Sequence, residues 1–384
     1  MILRFAGLMM TQMLALTLIL LPSTALAESI AMGSDSRLAP RAVQHLEVVI
    51  REQMQRQDLS GLAVGLVTAG EISYLQGFGF ADIATLSKVT EDSRFRWASL
   101  SKPLTAVLAA KLSTAGTVSL ETPIQRYLPE FRRQESLALN LRHLLSNQGG
   151  IASYAELPSW SDKVRSYLAS ESYAQGYRAQ EATQALGLGQ QLLFIPGSRY
   201  HYSTFGFILA GGVLEAASGK RFEQLSHEHI SEPLQLKSLM ADRADLRERV
   251  SGYRREAGKT LPAVADNIHW KLPGGGFSSN IRDLARWMQA LMAGPFLSPA
   301  QRQLLWHEQL TSGGQPTGYG LGFSLSGQGL DQRISHSGAQ HQTRTLMSFY
   351  PQRQLGMVLM SNSEWADLQQ IRNQIESVLI KRPE

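Results

Sequence analysis

The sequence contains no cysteine among its 384 residues. This absence excludes disulfides, thiolate metal ligands, a cysteine nucleophile and a lipid-modified N-terminal cysteine. With 43% hydrophobic residues, the chain has ample apolar material for a large core. We therefore expect a globular protein that is held together by packing.

Long clusters of basic residues are also missing. The formal net charge is +5, but runs of Lys and Arg are short and have no interleaved aromatic residues. A nucleic-acid-binding surface normally has clustered basic residues with aromatic residues between them. The excess charge thus predicts general surface charge and no nucleic-acid partner.

The N-terminus lacks an apolar run long enough for a typical membrane span. Residues 1–27 instead have the pattern of a secretory signal: Arg4 provides a positive start, Leu14–Leu21 are apolar, and small residues precede a predicted cleavage site before Glu28. Pro22 ends the apolar run, which disfavours the alternative of an uncleaved anchor. The pattern predicts a bacterial periplasmic or secreted protein with no stable membrane span after cleavage.

One Ser-x-x-Lys motif is present, formed by Ser99 and Lys102. The apolar pattern that follows predicts a helix over about 100–115, which would bring both side chains together on one face. A serine hydroxyl is a poor nucleophile until a neighbour takes its proton, and a lysine amine can do so when burial or a second cation disfavours its charge. The free N–H groups at the helix start can stabilise an oxyanion. Taken alone, such a motif more often reflects a solvated lysine near a capping serine.

Two later segments supply candidate partners for this motif. Tyr202 follows a Pro-Gly turn, and a tyrosine beside a protonated lysine can have its pKa lowered and act as a general base. His336 ends a predicted strand before Ser337 and Gly338, where a histidine can bind a carboxylate or stabilise a tyrosinate. A backbone N–H beside a glycine can approach a substrate carbonyl closely. The structural alternatives are a core tyrosine and an ordinary polar strand end.

Other catalytic classes are disfavoured by the motifs. The sequence has no Gly-x-Ser-x-Gly elbow, which argues against an α/β-hydrolase. His227 and His229 occupy alternate positions that do not share a helix face, so they predict no zinc site. The glycines at 274–276 do not lead into a phosphate-binding lysine, which argues against a nucleotide site. We therefore expect no metal and no cofactor.

Hydrophobic periodicity predicts an α+β fold. Strands are predicted at 61–68, 71–80, 319–325, 332–336, 343–350 and 356–361. Helices are predicted at 41–57, 100–115, 141–145, 207–218, 221–230, 281–292 and 368–380. The simplest architecture is one antiparallel sheet built from both chain ends and flanked by helices. A central, mostly helical subdomain at about 100–295 would be inserted in a single domain covering 28–384.

The order Ser99-x-x-Lys102, Tyr202, His336-Ser337-Gly338 resembles the serine β-lactamase and penicillin-binding-protein family. The resemblance is closest to the branch with class C β-lactamases, DD-peptidases and related esterases. Longer blocks support it over most of the chain: TPIQRYLPEF, LRHLLSNQGGI, PGSRYHYSTFG, LPGGGFSSNIRDLARWMQALMAG and YGLGF. Two of the segments are similar to the mitochondrial serine β-lactamase-like branch.

The resemblance implies a role for each matching position. Ser99 would be the acylated nucleophile and Lys102 would share its proton. Tyr202 would be the general base for acylation and deacylation. The backbone N–H groups of Ser99 and Ala339 would form the oxyanion hole. His336 would stand where many relatives carry a lysine.

Two departures from the family pattern affect the expected substrate. Thr204 stands where the family usually has asparagine, so hydrogen bonding to a substrate amide is in doubt. His336 replaces a lysine and is only partly charged near neutral pH, which weakens recognition of a β-lactam carboxylate. Thr204, Ser337 and Gly338 are nevertheless expected at the substrate site. Both departures favour an esterase or peptidase over a dedicated β-lactamase.

Two functional hypotheses follow from the sequence. The first is a serine hydrolase that forms an acyl-enzyme on Ser99 and acts on a small-molecule or peptide substrate containing an ester or amide, with D-Ala-D-Ala-type peptides and weak β-lactam hydrolysis included. The second is a non-catalytic penicillin-recognising or self-assembling protein of the same fold. Retention of the Ser, Lys and Tyr set favours the hydrolase. The oligomeric state stays open.

Overall fold

The computed structural model describes residues 38–131, 139–243, 246, 249–264 and 266–380. Its helices are α1 Pro40–Gln57, α2 Ser101–Thr114, α3 Leu141–Leu145, α4 Trp160–Leu168, α5 Glu171–Ala174, α6 Ala179–Leu186, α7 Thr204–Ser218, α8 Phe222–Ser226, α9 Leu272–Gly275, α10 Ile281–Met292, α11 Pro299–Trp306 and α12 Leu368–Leu379. Its strands are β1 Gly61–Thr68, β2 Glu71–Asp82, β3 Ser87–Lys88, β4 Phe95–Arg96, β5 Met240–Ala241, β6 Tyr253–Glu256, β7 Lys259–Pro262, β8 Phe277–Ser279, β9 Ser324–Ser326, β10 Arg333–Gln340, β11 Thr343–Tyr350 and β12 Leu355–Ser361. The predicted secretory signal lies outside the described residues.

The main sheet joins the two ends of the chain. Its strand order is β3-β2-β1-β12-β11-β10-β9, and every neighbouring pair is antiparallel. β1 from the N-terminal part pairs with β12 from the C-terminal part, with Leu62 opposite Ser361. The α+β class with an antiparallel sheet between helices is therefore confirmed.

Helices cover both faces of this sheet. On one face, α1 and α12 pack on the sheet through a core that includes Leu46, Ile50, Leu359 and Ile371, all of them fully buried. On the other face, α2, α7 and α10 contribute to a larger core that continues into the helical part of the chain. The candidate site lies on this second side, where the start of α2 meets β10.

Local capping and periodicity explain why several helices match their predicted bounds. Asn280 accepts a hydrogen bond from the Asp283 N–H, which fixes the start of α10 at 281. Helix α7 begins at Thr204 instead of the predicted 207, because the Ser203 hydroxyl caps it by accepting from the Gly206 N–H. Apolar periodicity alone had missed this first turn.

One predicted strand was wrong, and one predicted helix is present but ends in a π-helical turn. The segment predicted as a strand at 319–325 has regular pairing only from Ser324, since Gly318 and Gly322 adopt positive φ values of 65° and 77° that break a ladder. The helix predicted at 221–230 is α8 followed by a π-helical turn at His227–Ser231. Across the described segments, no helix combines the length and apolarity needed to cross a membrane.

Candidate active site

Ser99 lies in a short 3₁₀ turn, Ala98–Leu100, directly before α2. Ala98 has a φ of 49°, a left-handed conformation that is costly for a residue with a Cβ and that sharpens the turn. The sheet holds this turn in place, because the Thr345 hydroxyl donates to the Trp97 carbonyl over 2.8 Å. The nucleophile candidate is thus presented at a fixed position beside the sheet edge.

Lys102 is completely buried one turn further along α2. Its Nζ lies 2.9 Å from Ser99 Oγ, 3.2 Å from Thr204 Oγ1 and 2.8 Å from the Gly274 carbonyl oxygen. No carboxylate in the described residues pairs with it. Burial, and secondly the positive charge of Lys271, hold the pKa of Lys102 well below its usual value. The neutral amine, which can accept a proton, is therefore favoured.

Tyr202 lies beside this pair, as the sequence predicted. Lys102 Nζ lies 4.8 Å from the centre of its ring. Although 38% of its surface is exposed, burial raises the pKa of the phenol, and the nearby Ser99 side chain only partly offsets this. The expected lowering of the Tyr202 pKa is therefore wrong for the resting site, because desolvation is the largest effect.

Thr204 lies at the first turn of α7, where family relatives were expected to carry asparagine. Its hydroxyl accepts a hydrogen bond from Lys102 Nζ over 3.2 Å, and the Tyr154 side chain lines the same cavity. Thr204 is 7% exposed. Its short hydroxyl therefore helps to orient Lys102 from within the protein.

The third motif lies on β10 with alternating orientation. His336 and Gly338 are buried, whereas Ser337 and Ala339 are exposed on the opposite face. β9 pairs only with residues 333–335 within the described chain, so the β10 edge beyond Ser335 is open. Ala339 lines the same cavity as Ser99, which brings both predicted oxyanion positions to one space.

His336 differs from the expectation of a carboxylate ligand. Its Nδ1 donates to the Ser337 carbonyl over 2.7 Å, so Nε2 accepts from the Tyr319 hydroxyl over 2.9 Å. Burial, and then the nearby Lys102, lower the pKa of His336 to about 3. The ring is therefore neutral with both nitrogens occupied, and it packs 6.2 Å from the Tyr202 ring as a support.

Sequence reasoning did not identify a second lysine at the site. Lys271 lines the cavity of about 270 Å³ at Ser99, together with Asp266, and no described residue hydrogen-bonds or ion-pairs its ammonium group. Burial lowers the pKa of Lys271 to about 8, with opposing contributions from Asp266 and Arg96. A lone lysine between an aromatic residue and a leucine gives no sequence signal for this role.

Two aromatic side chains, Tyr154 and Trp160, form part of the cavity wall. The Tyr154 ring lies 4.9 Å from that of Trp160 and 4.8 Å from that of Phe205, and Trp160 stacks on Trp270 at 6.0 Å. Among the described residues, no group of three or more His, Asp or Glu side chains is arranged to hold a metal. The chemistry available here is that of a hydroxyl, a buried amine and a phenol.

This fold and this grouping agree with the class indicated by the sequence motifs. A sequence model described as Beta-lactamase matches residues 46–376. The chain belongs to the beta-lactamase family, which includes the serine β-lactamase-like and penicillin-binding-protein-like relatives.

Individual relatives have low sequence identity, but the similarity extends over most of this chain. The chain is 21% identical to Protein flp of Staphylococcus aureus (85% of this chain, 64% of that protein), 24% identical to the mitochondrial serine beta-lactamase-like protein LACTB of Homo sapiens (67% and 58%) and 26% identical to the D-aminopeptidase of Brucella anthropi (83% and 59%). It therefore spans about three fifths of the length of these relatives.

Solved structures share the fold. The octameric penicillin-binding protein homologue from Pyrococcus abyssi superposes with a TM-score of 0.73 at 20% identity, covering 88% of this chain and 76% of that one. EstCE1, a hydrolase with promiscuous acyltransferase activity, gives 0.72 at 19% identity, covering 88% and 98%.

Proposed function

We propose that the protein is a serine hydrolase that forms an acyl-enzyme on Ser99 and acts on a small ester, amide or peptide. The observation that carries this proposal is the buried Lys102 amine, which has no carboxylate partner among the described residues and lies 2.9 Å from the Ser99 hydroxyl. A charged amine that is buried without a counter-ion is costly, so burial favours the neutral form of the lysine. A neutral amine at this distance is a base in contact with a nucleophile.

Acylation follows from the hydrogen bonds of the neutral amine. The Gly274 carbonyl can only accept, so it takes one N–H of Lys102, and the lone pair is left to receive the Ser99 proton. As Oγ attacks the substrate carbonyl carbon, the C=O electron pair moves to oxygen. The N–H groups of Ser99 and Ala339 then stabilise this oxyanion.

Collapse of the tetrahedral intermediate expels an alcohol or an amine. The leaving group takes the proton from the Lys102 ammonium through the Tyr202 hydroxyl, whose ring lies beside Lys102 and whose raised pKa keeps it protonated in the resting site. Water then attacks the Ser99 ester and gives its proton back along the same path. The carboxylic acid leaves, and the serine hydroxyl is restored.

The cavity favours a short acyl group. Its volume of about 270 Å³ lies just under the usual range of small-molecule sites, about 300–1,000 Å³, and its aromatic wall is packed against the core. A D-aminopeptidase and the hydrolase EstCE1 are among the similar proteins, which supports ester or amide cleavage. A neutral His336 supplies no positive charge for a β-lactam carboxylate, which favours a substrate other than a β-lactam.

The proposal is tested by labelling and turnover. A fluorophosphonate should label the wild type and the Ser113→Ala control, which changes a serine on the same helix, but should not label Ser99→Ala. p-Nitrophenyl acetate should be turned over by the wild type and by Ser113→Ala, but not by Ser99→Ala.

Two results would contradict the assignment. Labelling of Ser99→Ala at the wild-type level would place the nucleophile elsewhere. Absence of turnover for esters, nitrocefin and D-Ala-D-Ala peptides, with the fold intact, would favour the non-catalytic, self-assembling alternative.

We also propose that residues 1–27 direct export and are removed before Glu28. The support is the signal-like pattern and a mature chain without cysteine. Fractionation of a bacterial host followed by N-terminal sequencing should give a periplasmic or secreted product that begins at Glu28. A cytoplasmic product with an intact N-terminus would refute this.

A further inference from the structure

A second cavity, of about 370 Å³, is lined in part by Asn267 and His269, whereas Asp266 and Lys271 of the same segment line the cavity at Ser99. We call it the arginine–tyrosine cavity. Its main polar lining is Tyr173, Tyr177, Arg221, Glu223, Asn267 and His269. None of these residues lines the cavity at Ser99. Its volume is within the range of small-molecule sites, about 300–1,000 Å³.

Three of these side chains form a hydrogen-bonded chain. His269 Nε2 lies 2.5 Å from Glu223 Oε1, and His269 Nδ1 lies 3.1 Å from the Tyr173 hydroxyl. Burial opposes ionisation of Glu223, but His269 and Arg243 outweigh it and lower the pKa of the carboxyl. An ionised carboxylate only accepts, so Nε2 donates to it, while Nδ1 is hydrogen-bonded to the Tyr173 hydroxyl. Asn267 donates to the same phenol, so this chain is fully satisfied.

Tyr177 is left out of that chain. It is 3% exposed, its ring lies 4.9 Å from the His269 ring, and its hydroxyl has no hydrogen-bond partner in the described part of the protein. Burial holds the pKa of Tyr177 well above its usual value, so the hydroxyl keeps its proton and is a donor. A buried donor without an acceptor is costly, which indicates a missing acceptor in this cavity.

Two guanidinium groups supply the charge. Arg221 lies against Gly176, where an added Cβ would be 2.4 Å from Arg221 Nη1, and it donates to the Gln175 carbonyl. Arg243 lies 3.2 Å from Glu223. The two arginines outnumber the one ionised carboxylate, so positive charge is in excess among these side chains. This excess favours an anionic ligand.

We propose that the arginine–tyrosine cavity binds a small monocarboxylate, with Arg221 and the Tyr177 hydroxyl as its hydrogen-bond donors. A carboxylate accepts two parallel N–H bonds from a guanidinium and has further lone pairs for the phenol. The rings of Tyr173 and Tyr177 offer an apolar surface to the rest of the ligand. This site goes beyond the hydrolase function and is independent of it.

The test is calorimetric titration of the full chain with benzoate, with benzamide as the uncharged isostere and inorganic phosphate as the competing oxyanion. Benzoate should bind saturably. Tyr177→Phe and Arg221→Gln should each weaken it by about tenfold or more, the expected cost of a lost charge-assisted hydrogen bond. Arg165→Gln, a change on the exposed face of α4, should leave it unchanged.

A second measurement, the Tm, distinguishes loss of the binding site from misfolding of the variant. Tyr177→Phe removes a buried hydroxyl without a partner, so the Tm of the ligand-free variant should equal or exceed that of the wild type. The proposal is overturned by an absence of saturable benzoate binding, by equal binding of benzamide, or by tighter binding of phosphate. Unchanged benzoate affinity in both cavity variants would also overturn it. None of these readouts requires turnover at Ser99, so this proposal and the hydrolase proposal can fail separately.

Discussion

Replacement of Lys271 by methionine should make the protein more stable at neutral pH. Burial lowers the pKa of this lysine from 10.5 to about 8 in the folded state. This interval corresponds to about 3 kcal/mol at 1.36 kcal/mol per pH unit. Because part of the side chain is exposed to the cavity, this figure is a ceiling.

The sign of the effect depends on pH. Below pH 8 both states are protonated, and the folded state bears the full cost of the buried charge. Between pH 8 and 10.5 only the unfolded chain keeps the proton, so the free energy of unfolding of the wild type rises by at most about 1.4 kcal/mol per pH unit from this group. Above pH 10.5 the cost disappears. Lys271→Met lacks this group, so its advantage should fade across the same window.

Urea denaturation of both proteins at pH 7, 8, 9 and 10 measures this difference. Other titrating groups are common to both proteins and largely cancel, as does any pH-independent change in packing. Lys237→Met, at an exposed position, is the control and should follow the wild type. A stability difference between Lys271→Met and the wild type that stays constant from pH 7 to 10 would refute the reasoning.

The same variant has a kinetic consequence. The charge of Lys271 is the second cause of the lowered pKa of Lys102. Its removal should raise the pKa of Lys102 and move the acid limb of kcat/KM for p-nitrophenyl acetate to higher pH. An unchanged acid limb would show that the two amines do not interact.

Three other variants probe separate parts of the site. Lys102→Met should lower kcat/KM by about a thousandfold while circular dichroism stays unchanged, because it removes the base and leaves an apolar side chain in the core. Gly338→Ala should reduce ester turnover and leave the protein folded, since its Cβ would lie 2.2 Å from Thr345 Oγ1 and must displace the β10 edge; wild-type turnover would contradict this. Tyr319→Phe should cost about 1–3 kcal/mol in urea denaturation, because His336 Nε2 loses its donor in a buried site; an unchanged midpoint would contradict it.

The sheet and its flanking helices could be predicted because their signals are local. The run at 61–68 is apolar throughout and forms β1 with the predicted bounds, and α10 follows its helical periodicity from Ile281 to Met292. Pairing of the two chain ends followed from the same patterns. The failure at 319–325 has a local cause too, since Gly322 has a φ of 77° inside the predicted run and interrupts regular pairing there.

The candidate site could be predicted only in part, because some of its contacts are between neighbours in the sequence and others are between distant segments. The spacing of Ser99 and Lys102 fixes their contact through one turn of helix. The groups that lower the lysine pKa come from elsewhere: burial under α7, and the charge of Lys271, which is 169 positions away in the sequence. Neither is visible from a four-residue motif.

The distinction between motif and environment explains why Ser-x-x-Lys is a weak signal alone. The Gly274 carbonyl and the Thr204 hydroxyl use two bonding positions of Lys102 and leave the third for the Ser99 proton. These neighbours satisfy the amine without supplying a negative charge, so the neutral form is stable inside the protein. The same four residues on a solvated helix would carry a charged lysine, and the serine beside it would stay a poor nucleophile.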